Sequence, residues 1–176
     1  GTFPPSEDGI ESLILARDNL MLFCDHRSEF IRRDQVAWRD LHGQSLVTLT
    51  RESGIRLLVE MGYGAAETPL KVAYEVSQIT TAIALVEAGL GIAVLPTYAC
   101  AATRDLNVAA KPLITPTISR DIVLITASAR SSPPATPAFI KTLRKHTQML
   151  MPAQTEQAAQ AAARSKRQGR AADHIL

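Results

Sequence analysis

The stretch Ala84-Leu85-Val86-Glu87-Ala88-Gly89-Leu90-Gly91-Ile92-Ala93-Val94-Leu95-Pro96 decides the fold. With Ile79, Ala82 and Ile83 ahead of it, Val86 and Leu90 continue a helical period, and Gly89 supplies the C-terminal stop. Ile92 to Leu95 then reads as a buried strand closed by Pro96. A helix that passes through a glycine turn straight into an apolar strand is the closing half of a β-α-β unit.

The units before it repeat the pattern. Leu70, Val72, Tyr74 and Val76 alternate with Lys71, Ala73 and Glu75 in the two-residue period of a strand, and Ser77 offers a side-chain oxygen as N-cap of the next helix. Earlier still, Leu46-Val47-Thr48-Leu49 reads as a strand. The helix after it starts near Ser53-Gly54, carries Ile55, Leu58 and Val59 on one face, and ends at a Gly62-Tyr63-Gly64 turn. This β-α-β-α-β series implies a parallel sheet with right-handed crossovers and helices on its faces.

Further out the signals are shorter. Leu13-Ile14-Leu15 and Leu20-Met21-Leu22-Phe23-Cys24 are apolar runs of strand length, the second followed by a polar turn, Asp25-His26-Arg27-Ser28. From Trp38 to Leu41 a helical turn packs its tryptophan and leucine inward, and His42-Gly43 stops it. On the C-terminal side, Asn107 to Leu113 predicts an irregular strand and Ile122 to Ile125 a regular one. A breaker, Ser131-Ser132-Pro133-Pro134-Ala135-Thr136-Pro137, precedes an amphipathic helix with Phe139, Ile140, Leu143 and Leu150.

Composition limits the classes of function. At 176 residues and 46% hydrophobic, the chain can bury one good core or two small lobes. No apolar run reaches the roughly 20 residues of a membrane helix. The opening, Gly1 to Gly9, is turn-rich without a secretion leader, and a piece of a cytoplasmic protein is expected. Cys24 and Cys100 read as reduced thiols with no CxxC pair or histidine cluster nearby, so no metal site is expected. The net charge of +2 resides in the last stretch, where Arg164, Lys166, Arg167 and Arg170 outnumber Glu156 and Asp173. The body is balanced and has no net charge favouring nucleic acid. Beyond Pro152 the sequence is Ala/Gln-rich and basic, with nothing larger than alanine among its apolar residues until Ile175, which predicts a frayed tail.

Enzyme signatures are missing as well. There is no HExxH, P-loop lysine motif or GxSxG elbow, and His26, His42, His146 and His174 have no identifiable nucleophile beside them. Gly89-Leu90-Gly91 precedes a strand instead of following one, and Val94 stands where a dinucleotide fingerprint needs its third glycine. Neither catalysis nor a cofactor is expected. The Arg164 to Arg170 run lacks both interleaved aromatics and a recognition helix, so it reads as solvated.

In an open parallel sheet, ligands bind beyond the carboxyl ends of the strands, where helix N-termini present unpaired N–H groups. Two turns qualify: Thr50-Arg51-Glu52-Ser53-Gly54 and Ser77-Gln78. Both are expected on one edge of the sheet. Thr50, Arg51, Ser53, Gly54, Ser77 and Gln78 are therefore the candidate effector-binding residues, suited by hydroxyls, an amide and backbone N–H groups to hold a carboxylate or other anion. Ser53 and Ser77 also fit plain helix caps, and Arg51 fits a solvated pair with Glu52 or Asp40.

At Ser53-Gly54-Ile55-Arg56, and more specifically at Ala84 to Pro96, the sequence resembles the effector-binding domain of LysR-type transcription regulators. The resemblance extends through Leu20 to His26 and through Arg120 to Leu143, although Arg27 stands where the family often has proline. It implies an α/β, periplasmic-binding-protein-like (type 2) fold of two subdomains, the first incomplete, with a small-molecule effector in the cleft between them. Residues 1–19 and 121–151 would be the remnant of subdomain I, 20–120 subdomain II with crossover segments near Asn19 to Cys24 and Asn107 to Arg120, and 152–176 a flexible tail. The resemblance also implies a cytoplasmic homodimer or tetramer, off the membrane, that reaches DNA only through an N-terminal winged helix-turn-helix outside this chain. A solute-binding protein of a transport system shares the architecture and is the alternative reading.

Overall fold

The structure is a computed structural model that describes residues 10–127 and 133–150. The opening nonapeptide, Ser131 and Ser132 of the breaker, and the basic tail with its His174 lie outside the described residues. In chain order the elements are strand β1 (Ile10–Asp25), β2 (Val36–Ala37), β3 (Leu46–Leu49), helix α1 (Gly54–Ala65), β4 (Val72–Val76), α2 (Ile79–Glu87), β5 (Ile92–Pro96), β6 (Val108–Ile114), β7 (Ser119–Ala127) and α3 (Thr136–Leu150). Short 3₁₀ turns occupy Glu29–Arg32, Trp38–Leu41 and Thr97–Thr103.

Contacts divide the chain into two compact units, parted between Asp18 and Asn19 and between Ser119 and Arg120. In the unit formed by Asn19–Ser119, strands pair in the order β2-β6-β1-β5-β3-β4. β3 is parallel to both β4 and β5, as the alternation of strands and helices requires. β1 is the exception to the expected parallel sheet, because it runs antiparallel to both its neighbours, β5 and β6. It enters from the other unit, without a helical crossover to set its direction.

The core of this unit is apolar and closed. Trp38, Phe23, Leu22, Leu41, Leu46, Val47, Ala82, Val86, Ala93 and Leu95 are fully shielded from solvent. β3 and β5 are buried along their whole length, while β4 is an edge strand with Val72 and Tyr74 exposed. Of the alternating apolar residues only Leu70 and Val76 are partly buried against the core, so the period marks a strand whose middle stays exposed. β6 is regular where an irregular strand is expected, held to β1 by register pairs from Met21↔Pro112 to Asp25↔Val108.

Two further expectations need correction. Gly62-Tyr63-Gly64 does not end α1, which continues to Ala65. Gly62 serves close packing instead, since a Cβ there would collide with the Trp38 indole. The runs Leu13 to Leu15 and Leu20 to Cys24 are one strand, not two. The polar residues between them stay extended because, in the unit of β1's first half and β7, Arg17 pairs with Asp121 at 3.2 Å and the buried Asp18 with Arg120 at 3.4 Å. In that same unit α3 has half-buried Thr136, Ile140, Leu143 and Thr147 at helical spacing, while Phe139 is 63% exposed and off the face.

Candidate functional site

The two candidate turns start from neighbouring strands. β3 and β4 end in register, Leu49 opposite Val76, and the Thr50 amide donates to the Val76 carbonyl at 3.1 Å. Both turns therefore leave the same rim of the sheet, and the helices that follow, α1 and α2, present their N-terminal ends there. Thr50, Ser53 and Gly54 are brought to one rim with Ser77 and Gln78.

The residues differ in what they have to offer. Ser53 is the N-cap of α1, its hydroxyl oxygen accepting from the Ile55 amide at 3.3 Å. Ser77 is not the cap of α2. That position falls to Gln78, whose side chain makes no capping bond. The first intrahelical bond there is from the Ala82 amide to the Gln78 carbonyl, so the preceding amides of Ile79, Thr80 and Thr81 await a partner from outside the helix. Ser77, Gln78, Arg51 and Gly54 are all exposed. Neither expected partner of Arg51 holds it: Asp40 is engaged by Arg33 at 2.7 Å, and no ion pair joins Arg51 to Glu52 among the described residues. The backbone amide of Glu52 first, and the nearby Thr50 hydroxyl second, favour the charged form and bring the Glu52 carboxyl below its ordinary range.

Glu52 is the residue whose importance the sequence hides. Its exposed carboxylate adds a negative charge beside Thr50, at the mouth of a site expected to take an anion. A polar depression of about 550 Å³ opens at the opposite rim, around Asp25, Arg27, Gln44 and Gly89. There Asp25 accepts from the Arg27 amide at 2.7 Å and from its guanidinium at 3.1 Å. Burial pushes the Asp25 carboxyl up, but the Arg27 bonds and charge outweigh it and leave the group below its usual range. Among the described residues no cluster of three or more His, Cys, Asp or Glu could hold a metal, and no helix is long and apolar enough to cross a membrane.

Mixed α/β layers with helix N-termini gathered at one sheet rim define the class: a binding module of the α/β kind. The comparison with known proteins specifies which. The LysR substrate binding domain family model matches residues 1–148, and the chain belongs to that family. It is 29% identical over 138 residues to an uncharacterized HTH-type transcriptional regulator, YbhD, of Escherichia coli (strain K12), and 28% identical over 130 residues to another, YfeR, of Shigella flexneri. These alignments cover 78% and 74% of the chain but 44% and 42% of the relatives, so the chain spans less than half the length of either. Among solved structures it is similar to the effector-binding domain of QuiR in complex with shikimate, with a TM-score of 0.68, 20% identity, and 85% of this chain and 71% of that one covered. The regulatory domain of Synechocystis CcmR in complex with 2-PG gives a TM-score of 0.72 at 15% identity, covering 84% and 72%. These likenesses bear out the periplasmic-binding-protein-like fold of type 2.

Proposed function

We propose that this chain is the sensing part of a longer cytoplasmic regulator, and that its effector is a small anionic metabolite held at the rim where β3 and β4 end. The observation that supports this most directly is the uncapped start of α2 beside an exposed Ser77. An anion there would accept from the amides of Ile79 to Thr81 and from the Ser77 hydroxyl, and would gain from the α2 dipole. Thr50, Ser53, Gly54 and Gln78 would contribute from the same rim, and Arg51 would supply the cation that offsets Glu52. No step of chemistry is needed; the domain binds and does not catalyse.

Signalling then requires only that the effector bind one conformation of the regulator more tightly than another, in proportion to that difference in affinity. The regulator would act as a dimer or tetramer and reach DNA through a winged helix-turn-helix elsewhere in the protein. Metabolites that bind QuiR and CcmR domains, shikimate and 2-PG, are anionic acids and make reasonable first members of a screen. The test is calorimetric titration of the full-length protein with small organic acids, then of its Ser77→Ala variant. Loss of about tenfold in affinity is expected for a hydrogen bond to a charged group. Unchanged affinity in Ser77→Ala and Ser53→Ala together would remove this rim from the site.

A further inference from the structure

Arg56 is the one buried lysine or arginine among the described residues, 4% exposed, and lies on α1 three positions beyond Ser53. Its Nε donates to Glu60 Oε1 at 2.8 Å, one turn further along the same helix. Its Nη1 stands 3.5 Å from Glu75 Oε2, on the edge strand β4. Nη1 is sealed from solvent and makes no hydrogen bond, so its hold on Glu75 is that of charge on charge, not of an aligned bond. Both carboxylates keep about the same contact with water, 44% and 45% exposed, while the cation between them has almost none. Removing either counter-charge would leave a guanidinium that has lost its hydration less compensated, which is costly.

The two carboxylates differ in what they tie down. Glu60 closes a link within α1. Glu75 joins α1 to β4 two positions before Ser77, immediately behind the start of α2. We propose that Arg56 is a positioning residue for the effector: through Glu75 it fixes where the Ser77-Gln78 turn and the first amides of α2 stand relative to the Ser53 turn. The inference rests on the reading of these two turns as the effector site. It assigns Arg56 and Glu75 a role at that site although neither contacts the ligand.

Glu60 provides the internal control. Amide hydrogen exchange is measured on the full-length, ligand-free protein and on its Glu75→Gln and Glu60→Gln variants, both of which change half-exposed side chains and leave the core intact. Exchange at the two hydrogen-bonded amides that hold the turn, Thr50 to the Val76 carbonyl and Ala82 to the Gln78 carbonyl, is expected to quicken about tenfold in Glu75→Gln and to stay within about twofold in Glu60→Gln. Arg56→Lys, which keeps the charge but cannot span both carboxylates, is expected between them. Equal acceleration in Glu60→Gln and Glu75→Gln, or none in Glu75→Gln, overturns the proposal. Titration with inorganic sulfate, followed by amide chemical shifts, separates the two ideas. Shifts at Ile79 to Thr81 that weaken several-fold in Glu75→Gln support both. A wild-type protein whose turn amides ignore sulfate, with the exchange asymmetry intact, keeps the hold of Arg56 on the turn and overturns the site.

Discussion

Gly62 of α1 lies against the benzo ring of Trp38, so close that any side chain at 62 would occupy the same space as the indole. The indole cannot yield, since it is wholly buried, its Nε1 donates to the Pro116 carbonyl at 2.8 Å, and Tyr63 meets its ring edge-on at 5.6 Å between centroids. Helix propensity favours alanine over glycine by about 1 kcal/mol, but overpacking a fixed aromatic costs more. Gly62→Ala is therefore expected to destabilise by about 2 kcal/mol in urea unfolding, against the sign that propensity alone would give.

Tyr63 presents the opposite case. Its hydroxyl is buried without a hydrogen-bond partner among the described residues, and burial pushes its phenol well above the ordinary range. An unpaired hydroxyl loses its hydration on folding and gains nothing in return. Tyr63→Phe is expected to leave stability unchanged or raise it by up to about 1 kcal/mol. With the raised pKa, the Tyr63 contribution is complete below the unfolded-state value near 10.0 and declines as pH climbs beyond it. Stability at alkaline pH should accordingly fall less steeply in Tyr63→Phe than in the parent.

Ser53 and Ser77 look alike in sequence but part company in stability. Ser53→Ala removes a capping bond and is expected to cost about 1 kcal/mol. Ser77→Ala removes none and should unfold within about 0.5 kcal/mol of wild type. Thermal unfolding of both variants checks this, and an equal loss in the two would refute the difference in capping.

Asp25 carries a pH dependence at the opposite rim. Its pKa is lowered on folding, so the stabilisation it provides is present above the unfolded-state value and is lost as pH falls through the folded one. Arg27 is 77% exposed, which screens the ion pair and leaves the bond from its amide as the main contribution. Asp25→Asn should cost about 1 kcal/mol at pH 7 and progressively less as pH falls below the unfolded-state value near 3.8, as read from unfolding midpoints at each pH.

Much of the fold was legible because helix and strand periods are local properties. Val86, Leu90 and Gly89 announce the end of a helix, and Ile92 to Leu95 a strand, from neighbours a few residues away. The errors cluster where a partner distant in sequence overrides the local signal. Gly62 reads as a stop until Trp38 is placed over it, and Arg17-Asp18 reads as a break until Arg120 and Asp121 pair with it. At the candidate rim, sequence position identified the turns, since loops between strand and helix are recognisable by kind. It gave no hint that Arg56 would be buried between Glu60 and Glu75.

By itself the sequence determined the order of the β3 to β5 elements, the parallel pairing of β3 with β4 and β5, and the LysR family, because apolar spacing and a specific motif are written along the chain. Tertiary structure alone decided the antiparallel course of β1, the choice of Gln78 over Ser77 as the cap of α2, and the burial of Arg56. The course of β1 and the burial of Arg56 depend on groups far apart in the chain meeting one another, and that meeting is settled only once the strands have been laid side by side.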